Sequence, residues 1–171
     1  MIRKIGMITL TFLFFFLPLH PEKTFAARKQ VQLVITAEVK NMSKLELDST
    51  TIVFDVGSLS PDDFPSVSST PGLITVSCKA RTGANSNVTL TILATGDLVS
   101  GPDVISTNNI AWDATGLGFT AGRMDKSSPQ SLGNWIGSGA RSGEVSFRLI
   151  NRWEYARGDY GTTALLTLTA P

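Results

Sequence analysis

Apolar and polar residues alternate with a period of two along most of this chain, and a helical period is almost absent. Val31, Leu33, Ile35, Ala37 and Val39 alternate with Gln32, Val34, Thr36, Glu38 and Lys40, which predicts a first amphipathic strand. Leu45 and Leu47 begin a short second one, and Ile52, Phe54 and Val56 mark a third. Residues 57–72 carry Pro61, Pro65 and Pro71 with the Asp62-Asp63 pair and read as a loop. A fourth strand is expected from Leu73 to Ala80. A fifth turns Val88, Leu90, Ile92 and Ala94 inward. Gly96-Asp97 and Gly101-Pro102-Asp103 are turn signals on either side of Leu98-Val99. Ile110 and Trp112 mark another strand. Residues 116–143, with seven glycines, read as a long Gly/Ser-rich connection in which Ser128-Pro129 caps one helical turn. Val145, Phe147 and Leu149 form the penultimate strand.

The last stretch, from Tyr160, reads as one strand with Tyr160, Thr162, Ala164, Leu166, Leu168 and Ala170 on one face. About seven short strands separated by turns predict an all-β, immunoglobulin-like antiparallel sandwich. Its strongly apolar final strand is expected to leave one edge uncovered, so the sandwich lacks its last strand.

The first residues change the compartment. Arg3 and Lys4 precede a mostly apolar run over residues 5–19, and Thr24-Phe25-Ala26 is a small-residue exit. That order predicts a signal peptide over 1–26, because the run is too short for a membrane-spanning helix. The expected product is one exported domain over 27–171 that keeps no membrane segment. It would be secreted or held at the cell surface, by way of the periplasm in a Gram-negative source. Subtracting Arg3, Lys4, Lys23 and Glu22 leaves 15 − 3 = 12 basic and 14 − 1 = 13 acidic residues. No basic field remains to attract a nucleic acid.

The same cut removes His20, the only histidine, and with it Ser-His-Asp chemistry, Cys-His chemistry and histidine zinc sites. Cys78 is the only cysteine. No internal disulfide can form, and its place among Ile74, Val76 and Ala80 predicts a small core residue. Carboxylates are the remaining candidates for chemistry. Asp62, Asp63, Asp97, Asp103, Asp113 and Asp125 show neither a paired glycosidase spacing nor a calcium ladder, and they read as turn formers. The expectation is a non-enzymatic protein without cofactor or metal. Trp112, Trp153 and Tyr155 are expected to pack in the core or at a sheet edge. Trp135 lies between Gly133 and Gly137 and is the candidate exposed aromatic for stacking on a sugar.

Two places resemble a known family. Gly158-Asp159-Tyr160 has the form of a tyrosine corner, and an alternating strand stands at the processed N-terminus. Together with a sandwich short of its last strand, these features resemble subunits of chaperone–usher fimbriae of the disulfide-free archaic and class 5 type. The resemblance implies a pilin-like structural subunit of a surface fimbrium, built by donor-strand complementation. It makes Val31, Leu33, Ile35, Ala37 and Val39 the donor side chains. It makes Tyr160, Thr162, Ala164, Leu166 and Leu168 part of the acceptor groove. Self-association, related surface subunits and a periplasmic chaperone are the partners it implies. The alternative is a secreted, monomeric carbohydrate- or surface-binding module with Trp135 as its platform.

Overall fold

The structure, a computed structural model, describes residues 32–171. The expected signal peptide and Val31 lie outside the described residues. The chain divides after Ala37, and Glu38–Pro171 is one compact unit. Residues 32–40, where the first strand was expected, adopt no strand, and each of them is exposed. Among the described residues no ladder includes their backbone, so the alternation of apolar residues has no sheet face to act on.

The compact unit is an antiparallel β-sandwich. Its strands are β1 (Met42–Leu47), β2 (Ser66–Ser68), β3 (Ile74–Arg81), β4 (Asn87–Ala94), β5 (Leu98–Ser100) and β6 (Asp103–Ile105). After a 3-10 turn at Thr107–Asn109 come β7 (Ile110–Thr115), β8 (Gly122–Arg123), β9 (Gln130–Ile136), β10 (Gly139–Ile150) and β11 (Ala164–Thr169). One sheet runs β1-β3-β10-β7-β8, with β2 also on β10; the facing sheet runs β11-β4-β9, and β5-β6 is a small hairpin. The period-two pattern turns Val76 and Cys78 of β3 and Val145, Phe147 and Leu149 of β10 toward Val88, Leu90 and Ile92 of β4. These side chains, with Trp112 and Leu132, form a single core. Cys78 is fully buried and unbridged, as its neighbours predict.

The glycine-rich stretch is where the fold departs most from expectation. Instead of a long connection with a helical turn, residues 116–143 supply β8, β9 and the start of β10. Glycine here marks close approach rather than a loop. A Cβ on Gly122 would sit 2.4 Å from Cζ2 of Trp112, and one on Gly143 would meet Phe119 at 2.6 Å. The Trp112 ring lies over the backbone of Gly122 while its Nε1 donates to Thr120 O at 2.9 Å. The strand expected at Ile52–Phe54–Val56 is reduced to a single bridge between Val53 and Thr70.

Strand directions fix which loops share an end. Met42 pairs with Arg81, Gly139 pairs with Ala80, and Thr169 pairs with Thr89, so all lie at one end of the sandwich. Ile150 pairs with Ser66 at the other end, where the chain continues into residues 151–163.

Candidate functional site

The two sheets do not close equally on both sides. β11 is the end strand of its sheet and pairs with β4 alone among the described residues. β1 is the end strand of the facing sheet on the same side, and it approaches β11. Twelve partly buried apolar side chains pack against the core, residues of both these strands among them. Leu45 and Leu47 stand along one lip, and Ile52, Phe54 and Val56 follow in the segment after β1. Tyr160, Ala164, Leu166, Leu168 and Ala170 stand along the other. The alternation of β11 puts Leu166 and Leu168 on the core side and leaves Leu165 and Thr167 outward. The site is therefore an apolar seam beside an end strand whose outer side joins no other strand among the described residues.

Of the five acceptor residues read from the sequence, Tyr160, Ala164, Leu166 and Leu168 pack against the core, and Thr162 does not. Thr162 precedes the strand, is exposed, and donates its hydroxyl to Gly96 O at 2.8 Å. The strand begins at Ala164 rather than Tyr160 because residues 161–163 are held by other partners: Gly161 bridges Val99, and Thr163 O accepts from Thr95 N. Tyr160 forms the expected corner. Its hydroxyl donates to Ala156 O at 2.8 Å, and burial raises its pKa, helped by the nearby charge of Asp103. At the far end of β11, Thr82 donates its hydroxyl to Pro171 O. The β1 lip was legible as alternating residues, but nothing in the sequence tells that it borders β11.

Among the donor candidates, Leu33, Ile35 and Val39 are 81, 83 and 68 % exposed, and Ala37 is exposed as well. Val31 lies outside the described residues.

Two aromatic assignments are reversed. Trp135 is 6 % exposed and stands opposite Val88 on the inner face of β9, so it cannot serve as a surface platform. The exposed tryptophan is Trp153, at 69 %. Its Nε1 donates to Asp62 Oδ1 at 3.3 Å, and Asn151 ties the two loops together by donating to Leu59 O and Pro65 O. Tyr155 is half-buried with its hydroxyl on Ile150 O.

Three of the carboxylates read as turn formers have partners within the fold. Asp97 accepts from Lys126 and from the backbone of Thr107, which holds its pKa below the usual carboxylate range. Asp125 accepts from Ser127 N at 2.8 Å in a turn. Asp113 is in β7 rather than a turn, paired with Arg148. No group of three metal-binding side chains occurs among the described residues.

The fold and this seam define the chain as an antiparallel β-sandwich with one apolar side incompletely covered. No family model matches it, and no curated protein matches its sequence.

Proposed function

We propose that this protein is an exported, non-enzymatic structural subunit of a surface fibre or coat, joined to its neighbours by strand donation. The observation that carries the reading is the pairing of a partly covered apolar seam between β1 and β11 with an exposed, alternating apolar segment in the same chain. Residues 31–39 of one copy supply Val31, Leu33, Ile35, Ala37 and Val39, spaced two apart. The seam offers Ala164, Leu166, Leu168 and Ala170 at the same spacing. Antiparallel pairing to β11 gives the better-formed ladder and satisfies its free backbone edge. Each large aliphatic side chain buried contributes on the order of 1.5–3 kcal/mol before ordering costs. Because β1 leans toward β11, the entering strand parts the two lips as it pairs.

Export follows from the basic–apolar–small order of residues 1–26. Deleting residues 27–39 tests the reading: polymer is lost, and a peptide of residues 31–39 added to the shortened protein raises its unfolding temperature. Fibres of unchanged form from the shortened protein would refute it.

A further inference from the structure

The strand-donation reading leaves one prominent feature unused, the exposed Trp153. An indole so exposed is commonly a contact residue, and this one is held in place. Asp62 fixes its ring nitrogen, and Asn151, itself buried, clamps the two loops that present it. Trp153 follows Ile150, so it stands at the end of the sandwich opposite Met42 and Arg81.

At that opposite end, the first sheet carries a shallow, open hollow lined by Met42, Lys44, Lys79, Arg81, Gly139 and Ala140. Lys44 and Lys79 stand side by side in the β1–β3 ladder at its rim, with Lys44 paired to Glu46. The Trp153 end is acidic by comparison: Asp62, Asp63, Glu154 and Asp159 are exposed there beside Arg152 and Arg157. Knob and hollow thus differ in shape and in charge, and they occupy opposite ends of one molecule. That is the layout of a head-to-tail contact, which propagates rather than closes.

Chain connectivity brings the two ends together. A donor strand antiparallel to β11 finishes near Ala164, the end of the sandwich where Trp153 stands. Only Lys40 and Asn41 separate Val39 from Met42, the first residue of β1, so at most about 10 Å of chain links donor to domain. The Met42 end of the donating copy is then drawn onto the Trp153 end of the accepting copy.

We infer that Trp153 of one copy seats in the Met42–Arg81 hollow of the next, where the guanidinium of Arg81 and the thioether of Met42 pack against its ring. This inference rests on strand donation between copies, and its test separates the two. Full-length protein carrying Glu154→Cys with Ala140→Cys, which keeps the Trp153 indole, is treated with a short bismaleimide, beside protein carrying Ile35→Cys with Leu166→Cys. Ladders from both pairs, and from none of the variants that carry one added cysteine beside the buried Cys78, are the expected result. A ladder from the Ile35/Leu166 pair alone overturns the end-to-end contact and leaves strand donation standing. No ladder from either pair overturns both.

Acrylamide quenching of the wild-type protein gives a readout free of substitutions. Trp112 and Trp135 are buried, so the accessible emission belongs to Trp153. Its quenching falls at least threefold on assembly if the indole enters the hollow. Unchanged quenching in polymers that carry the strand cross-link overturns the contact. So does protection of Trp153 by cellohexaose in single molecules, which would assign the indole to a sugar.

Discussion

Leu166 stands directly opposite Ile92 in the β11–β4 ladder, yet Ile92 is 1 % exposed while Leu166 keeps part of its surface in water. The two side chains are neighbours on the same face of one sheet. What separates them is cover: Ile92 is in the core on a strand paired on both sides, whereas Leu166 is on an end strand, at the seam beside β1. The difference is local to that edge, and it makes the stability contribution of β11 conditional on what fills the seam.

Truncation should expose this condition. Leu90→Ala removes a fully buried side chain and costs about 2–5 kcal/mol in urea unfolding. Leu166→Ala in single molecules costs about 1 kcal/mol, because less area is lost. In assembled protein the Leu166→Ala cost approaches that of Leu90→Ala. Equal costs for Leu166→Ala in the two states would show that nothing enters the seam.

The exposed segment makes the opposite prediction. Ile35→Asp changes the stability of single molecules by less than about 0.5 kcal/mol, since Ile35 is 83 % exposed. The same substitution abolishes assembly, because a carboxylate cannot enter an apolar seam unpaired. Sedimentation of the variant beside the wild type reads both outcomes.

Glycine positions separate close approach from loop chemistry. Gly116 has φ +107, and a Cβ there would meet Ser142 O at 2.6 Å. Gly116→Ala is therefore expected to cost about 1–3 kcal/mol. Gly161 has open space around it, and Gly161→Ala changes stability by only a few tenths of that range. Thermal unfolding of the two variants makes the comparison.

Cys78 gives a pH signature. Burial pushes its thiol from about 9 up to about 11. The folded protein then holds this proton where the unfolded chain has lost it, so stability falls as pH rises from 9 to 11, by about 2–3 kcal/mol. In Cys78→Ala that alkaline loss is reduced. Native protein at pH 8 reacts with a thiol reagent only as fast as it opens.

At the acid end, Lys126 and the Thr107 backbone hold Asp97 below the ordinary 3.8. A depressed carboxyl stabilises the fold above the unfolded value and loses that effect as pH falls through the folded one. Asp97→Asn should be less stable than wild type at neutral pH and show a shallower loss below pH 4.

The sandwich was legible because period-two alternation is strong where a strand has one face on the core, as in β3, β4 and β10. The corner at Tyr160 was legible from three residues. Long-range pairing was not: that β1 and β11 end their sheets on the same side follows from strand order, which local pattern does not encode. Glycine misled over residues 116–143, since the residue type that frees a turn also lets Trp112 and Phe119 lie against a strand. The tryptophans were interchanged as well. Trp135 looked exposed among glycines but alternates inward on β9, and Trp153 looked like sheet packing but follows the end of β10.

Hydrogen exchange along β11, measured on wild-type protein before and after assembly, tests the central claim most directly. The account predicts that amides between Ala164 and Thr169 facing away from β4 exchange freely in single molecules and slow at least tenfold in the assembled state. Assemblies in which those amides exchange as fast as before would contradict it.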